Sequence, residues 1–158
     1  HLGVLLLCKL AGISMVHIPY KGSGPATADL VGGQVQARIS SIPPAMPHVK
    51  SGRLRALATT GAKRFSLLPE IPAVAETLPG YAVDSWYGVF APAGTPAAIV
   101  RKLNTEIVAA LRTPEAGSRL RAEGVEPVGT TPQQLAELLK TESAKWAPLV
   151  KESGAKSD

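Results

Sequence analysis

Apolar residues near the start of the chain recur with the period of a helix. Leu2, Leu5, Leu6 and Leu10 follow an i, i+3, i+4 spacing, which lines up one face of an α-helix. Gly12 comes directly after this pattern and is a common C-terminal stop, because glycine adopts the left-handed conformation without strain. The pattern therefore predicts a helix that ends at Gly12.

Three later stretches alternate apolar and polar residues, as strands do: "SMVHIPY", "QVQARIS" and "LRALATT". Between them, "GPATADLVGG" and "IPPAMPHVKSG" predict short helices, the first with Pro25 near its first position and a glycine pair at its end. Strands that alternate with helices through short loops are typical of a parallel α/β layer. Residues 63–80 follow as an irregular, proline-rich connection with one turn of helix at 74–77.

The second half predicts one strand at 85–91 and then mainly helices. Each of three helices starts with a Thr-Pro pair, in which threonine is the N-cap and proline takes the first helical position. The pairs begin at Thr95, Thr113 and Thr131, and Gln134 completes a capping box in the last. One strand and a short "VEPVG" are too little sheet to cover amphipathic helices. We therefore expect a piece of a longer protein, able to self-associate through its uncovered apolar helices.

Composition narrows the possible partners. The chain has 158 residues, 45% hydrophobic and 18% charged, which suits one ordinary folded domain. Aromatic residues make up 4%, so few side chains could stack on bases, and the formal charge of +5 is spread along the chain; both features argue against a nucleic-acid partner. Cys8 stands alone, so an internal disulfide is excluded, and no metal-ligand spacing occurs.

The segment "HIPYKGSGPATADLVGGQV" places a glycine-rich turn between a predicted strand and a predicted helix. Backbone N–H groups and the positive end of the helix dipole converge at such a turn, which makes it a candidate anion site. A phosphate loop needs its lysine after the glycines, whereas Lys21 precedes Gly22 and Gly24, and Thr27 holds the place of the third dinucleotide glycine. An anion- or nucleotide-binding enzyme domain that uses Tyr20 to Gly24 stays as one alternative, and a non-transport interaction module stays as the other.

With "PHVKSGRLRALATTGAKR", "LPEIPAVAETLPGY" and "SWYGVFAPAGTP" in the same order, this segment resembles the Bug family, the solute receptors of tripartite tricarboxylate transporters. The resemblance runs over nearly the whole chain. It implies an α/β fold of the periplasmic binding protein type II class, with two lobes of which most of the first is missing here. Residues 1–82 would be most of the second lobe, and residues 83–158 the returning, mainly helical C-terminal part of the first.

The resemblance further implies a periplasmic receptor that closes on a small carboxylated solute or its amide and delivers it to a membrane permease. It implies no catalysis, no catalytic residue, no cofactor and no metal. A side-chain triad of serine, histidine and Asp84 is not supported, because no nucleophile-elbow motif is present.

The candidate ligand-binding residues follow the predicted strand ends, where an open parallel sheet binds its ligands. The family's cleft loop corresponds to Tyr20, Lys21, Gly22 and Ser23. At the end of the next predicted strand, the hydroxyl groups of Ser40 and Ser41 suit a neutral or carboxylate oxygen of a ligand better than an ammonium group. The remaining candidates are the two aromatic residues at the return to the first lobe and the histidine before the first helix. The candidate ligand-binding residues outside the cleft loop are therefore Ser40, Ser41, Trp86, Tyr87 and His1.

Overall fold

A computed structural model describes residues 1–154. The chain divides into two compact units, His1–Asp84 and a second that begins at Ser85. This division lies two residues from the predicted boundary. Which lobe each unit belongs to stays a prediction.

Seven helices are present among the described residues, four in the first unit and three in the second. In the first unit α2 packs against α3, and in the second α5 packs against α6. The helices are α1 (Leu2–Ala11), α2 (Ser23–Val31), α3 (Ile42–Lys50), α4 (Val74–Thr77), α5 (Ala97–Leu111), α6 (Pro114–Ala122) and α7 (Pro132–Ser153).

Several helix ends confirm the sequence predictions. Gly12 ends α1 in the left-handed conformation, with φ of 66°. The capping box at the start of α7 is formed, since Gln134 N donates to Thr131 Oγ1 at 3.2 Å and Thr131 N donates to Gln134 Oε1 at 2.9 Å. Thr113 caps α6 by accepting from Ala116 N at 3.3 Å. Local capping chemistry therefore sets these boundaries.

Two predicted helix starts are wrong in detail. Pro96, and not Thr95, is the N-cap of α5, because the Thr95 hydroxyl donates to Pro92 O at 2.8 Å in the preceding turn. Helix α2 begins at Ser23, which places Pro25 at its third position. Proline is tolerated there as well, because the first N–H groups of a helix have no partner inside it.

The predicted strands are not paired with one another. Over residues 1–154 the backbone forms no β-ladder, and a single parallel bridge joins Thr59 to Ala73. The stretches at 14–20, 34–40, 54–60 and 85–91 lie outside the helices, as expected, but the expectation of strands paired into a sheet among the described residues is wrong. Alternation of side chains tells which segment is extended, whereas pairing depends on neighbours that sequence alone does not supply.

The best-packed part of the first unit is a corner formed by residues 59–84, here called the 59–84 corner. Thr59 N donates to Pro72 O at 2.8 Å, and Val83 N donates to Thr60 O at 2.7 Å. Tyr81 is 1% exposed, and its hydroxyl donates to Gly3 O at 3.2 Å, which ties the corner to α1. Burial raises the pKa of Tyr81.

An ion pair closes the outer side of this corner. Arg64 Nε and Nη2 donate to the two oxygens of Glu76, each at 2.8 Å, and Arg64 Nη1 donates to Pro69 O at 2.9 Å. Glu76 also accepts from Ala73 N at 2.9 Å. These bonds lower the pKa of Glu76 to about 2, first through Arg64 and then through the backbone N–H.

In the second unit, a polar contact joins α5 to the turn before α7. Asn104 Nδ2 donates to Thr130 O at 2.8 Å. Gly129, in the same turn, has φ of 68°, and a Cβ there would lie 3.3 Å from Val108 Cγ1. Leu149 on α7 is buried. The turn thus packs directly on α5.

Much apolar surface remains uncovered. The chain exposes 11340 Å², whereas even two separate globules of half its mass each would expose roughly 9,000 Å² by the usual scaling of surface with mass. The exposed large apolar side chains include many on the predicted strands: Met15, Val16, Ile18, Ile39, Leu57, Tyr87, Val89 and Phe90. Among residues 1–154, no helix has the length and apolar character needed to cross a membrane.

Candidate functional site

The glycine-rich turn leads directly into α2. Gly22 is the N-cap residue, with φ of 98°, and its N–H donates to Tyr20 O at 3.0 Å. A Cβ at this position would meet open space, so glycine is required by the backbone angle and not by crowding. Residues Lys21 and Ser23, on either side of it, are exposed. The turn therefore presents the N-terminus of α2 to solvent.

Tyr20 is fixed by a residue that the sequence analysis did not select. Its hydroxyl donates to Asp29 Oδ2 at 2.8 Å, from the segment before α2 to the body of that helix. This hydrogen bond raises the pKa of Tyr20, because it stabilises the protonated phenol. The phenol oxygen can still accept a hydrogen bond. Tyr20 therefore positions the turn.

Arg38 is a second residue that sequence reasoning missed. Its Nη1 donates to Ser23 O at 2.9 Å and also to Thr27 Oγ1, while the Thr27 hydroxyl donates to Ser23 O at 2.8 Å. The guanidinium thus lies against the first turn of α2. The available signal was a lone arginine within "QVQARIS", two residues before Ser40.

The serine pair adopts a different arrangement. Ser40 Oγ donates to Ser41 O at 3.0 Å, and Ser41 is the N-cap of α3 without a side-chain capping bond among the described residues. Pro43 and Pro44 follow in the first turn, and neither carries a backbone N–H. The N-terminus of α3 therefore offers fewer backbone donors than that of α2.

His1 lies at the N-terminus of α1, where it is the N-cap residue and is exposed. Its ring stacks on that of His17, with centroids 4.1 Å apart and 8° between the planes. The structure thus places beside His1 a second histidine that the sequence analysis did not select. Among the described residues, neither histidine forms a hydrogen bond or an ion pair with the Tyr20–Ser23 turn.

Trp86 and Tyr87 lie in the second unit, within 85–91. A Cβ at Gly88 would lie 3.3 Å from Trp86 Cζ3 and 3.1 Å from Phe90 Cε2, so these two rings share one face of the segment. Tyr87 and Val89 are 87% and 72% exposed. The side chains of Trp86 and Tyr87 are thus available to a partner or ligand.

The turn before α2 is a candidate anion site. A helix N-terminus, one exposed lysine and one arginine surround the same turn, and these groups all favour negative charge. Within residues 1–154, no group of three His, Cys, Asp or Glu side chains could hold a metal ion.

Several curated proteins are similar to this chain, two of them from Pseudomonas species. A protein encoded in the tcbD-tcbE intergenic region of Pseudomonas sp. strain P51 is 41% identical over 154 residues, which cover 96% of this chain and 46% of that protein. A protein from the clcB-clcD intergenic region of Pseudomonas knackmussii is 40% identical, over 95% of this chain and 90% of its own length. The chain thus spans about half the length of the first relative and nearly all of the second.

Solved structures of similar proteins match the chain over nearly its whole length. An R. palustris protein determined with adipate has a TM-score of 0.81 and 39% identity, covering 98% of this chain and 52% of that one. The periplasmic binding protein BugD has a TM-score of 0.72 and 32% identity, covering 100% of this chain and 54% of that one. These likenesses confirm the predicted fold class. Residues 1–155 match the family described as tripartite tricarboxylate transporter family receptor, and the chain therefore belongs to this receptor family.

Proposed function

We propose that this chain supplies one wall of the solute cleft of a receptor for a small dicarboxylate. One carboxylate of the ligand binds at the N-terminus of α2, and no chemical step follows binding. The observation that carries the proposal is the uncapped first turn of α2 behind Gly22, with Lys21 beside it.

Backbone donors favour α2 over the other helices of the first unit. Ser23 and Gly24 bring N–H groups to its first turn, and no described side chain caps them. The dipole of a nine-residue helix adds partial positive charge at that end. In α3, two prolines remove the equivalent donors, so Ser40 and Ser41 contribute hydroxyl groups at the edge of the site instead.

The structural relative with adipate supports a dicarboxylate as the ligand class. Lys21 and Arg38 supply two positive charges near the turn, which favours an organic acid over its amide. His1 would lie beside the same ligand. Trp86 and Tyr87 would contribute from the other part of the receptor.

We assign residues 1–82 to most of the second lobe and residues 83–158 to the returning part of the first. Because the family is that of a transporter receptor, the complete protein would act in the periplasm and pass its solute to the membrane permease subunits.

A titration of the ¹⁵N-labelled chain with adipate, followed by NMR, tests the ligand site. We expect shifts at the amides of Gly22, Ser23 and Gly24 with millimolar affinity, since one cleft wall supplies only part of the contacts. Lys21→Ala should weaken binding several-fold, whereas Lys50→Ala, which removes an exposed lysine from the end of α3, should leave it unchanged.

Adipamide, which has no charge, should produce much smaller shifts at the same amides. Larger shifts with ATP than with adipate would contradict the receptor proposal and favour the alternative of a nucleotide-binding domain. An absence of any shift in the first turn of α2 would also overturn the proposed site.

A further inference from the structure

The peptide unit that joins Ser23 to Gly24 has a cation at one end. Arg38 Nη1 donates to Ser23 O at 2.9 Å, and the Thr27 hydroxyl donates to the same oxygen at 2.8 Å. Arg38 also donates to Thr27 Oγ1, so the two donors are held together. The other end of this peptide unit is the N–H of Gly24, in the first turn of α2. A positive charge therefore acts on the carbonyl of a peptide unit whose N–H belongs to the proposed ligand site.

This turn has few free backbone donors. The first N–H groups of a helix have no partner inside it, but Pro25, at the third position of α2, has no N–H. The N–H of Gly22 already donates to Tyr20 O. The free donors of the first turn are therefore the N–H groups of Ser23 and Gly24, and Arg38 acts on one of these two.

The charge of Arg38 is not neutralised by a carboxylate within residues 1–154. There its guanidinium bonds to a carbonyl and a hydroxyl of α2, which are both neutral. Arg38 is half-buried, whereas Lys21 is exposed. Salt therefore screens the charge of Lys21 more strongly than that of Arg38.

We propose that Arg38 is a positioning residue of the ligand site, which strengthens the Gly24 N–H as a donor by hydrogen bonding to the carbonyl of the same peptide unit. Hydrogen bonds in a chain polarise one another, and a charged donor is stronger than a neutral one. The same contact holds the segment that leads to Ser40 against the first turn of α2. A ligand carboxylate at Gly24 is thereby stabilised without touching Arg38. The inference rests on the proposed function.

NMR of the chain without ligand tests the polarisation. Arg38→Met removes the charge and keeps an unbranched apolar stem. We expect the carbonyl carbon of Ser23 and the amide of Gly24 to shift upfield, while the Cα shifts of residues 26–30 keep their helical values. Arg53→Met, the matched control, removes an exposed arginine after α3 and should leave both signals unchanged.

Titration with adipate tests the consequence for binding. Arg38→Met should weaken binding about two- to fourfold, because one of two donors becomes weaker. An increase in sodium chloride from about 20 to about 300 mM should reduce the effect of Lys21→Ala, whose charge is exposed, and leave most of the effect of Arg38→Met. Arg38→Lys, which keeps a charged donor, should bind adipate more tightly than Arg38→Met.

Two results would overturn the inference: unchanged Ser23 and Gly24 signals in Arg38→Met, or unchanged adipate affinity in that variant. Loss of the helical shifts at 26–30 would also count against it, because Arg38 would then only hold the helix together. No shift at α2 with adipate in the unsubstituted chain would instead overturn the proposed function, whereas the ligand-free shifts in Arg38→Met would still support the polarisation.

Discussion

Tyr81 and Tyr87 are six residues apart and have opposite surroundings. Tyr81 is 1% exposed, and its hydroxyl is bonded to Gly3 O, whereas Tyr87 is 87% exposed. The first belongs to the 59–84 corner, whose backbone groups are paired across short loops. The second belongs to 85–91, whose backbone makes no hydrogen bond within residues 1–154. The contrast shows that the 59–84 corner contains its own packing partners, whereas no described residue pairs with the backbone of 85–91.

The largest expected effect is that of Tyr81→Ala. Removal of a fully buried aromatic ring leaves a cavity, and we expect a loss of about 3–5 kcal/mol in the free energy of unfolding. Urea unfolding followed by hydrogen exchange in the first unit measures it. Tyr81→Phe, which keeps the ring and removes the hydrogen bond to Gly3 O, should cost about 1 kcal/mol. Equal losses in both variants would contradict this account of the corner.

Ala73→Leu should have a smaller but clear effect. Ala73 is 2% exposed, pairs with Thr59 and donates its N–H to Glu76. Three further heavy atoms have no room there, so we expect a loss of about 1–3 kcal/mol from overpacking. Thermal unfolding of the variant checks this. Unchanged stability would show that the corner is looser than its burial indicates, and the contrast with 85–91 would weaken.

Arg64→Ala should change the acid stability of the corner. With Arg64 present, the pKa of Glu76 is about 2, below its ordinary value of 4.5. The pair therefore stabilises the fold above pH 4.5, and this contribution is lost as the pH falls from 4.5 through about 2. In the variant the pKa should rise towards 4.5, held partly down by the N–H of Ala73.

An NMR titration of the Glu76 carboxyl carbon gives this pKa directly. Lys63→Ala is the matched control, because it removes the neighbouring exposed cation and should leave the pKa of Glu76 unchanged. Equal shifts in both variants would mean that general positive charge, and not the bidentate pair, lowers the pKa.

The same contrast explains what sequence could predict. Features set by neighbouring residues were predictable: the stop at Gly12, the turn of helix at Val74–Thr77 and the capping box at Thr131. The glycine-rich turn before α2 was predicted because neighbouring residues, above all Gly22, determine its conformation. In contrast, no local signal gives the partner of an extended segment, and strand pairing was therefore mispredicted.

The candidate site divides in the same way. Gly22 and Ser23 were identified from the turn, whereas Asp29 and Arg38 were missed. Asp29 reaches Tyr20 across nine residues, and Arg38 reaches Ser23 across fifteen. A hydrogen bond over such a separation depends on how the segments pack. A charged residue inside an alternating stretch, as at Arg38, is the one hint that the sequence carried.

The smallest expected effect is that of Tyr87→Ser, and it tests the contrast most sharply. Because the ring is exposed and its backbone is unpaired, the free energy of unfolding of the chain alone should change by less than about 0.5 kcal/mol. Urea unfolding of the variant and of the unsubstituted chain measures this change. A loss in the free chain comparable to that of Tyr81→Ala would mean that 85–91 already has partners within this chain, and the distinction between the two tyrosines would fail.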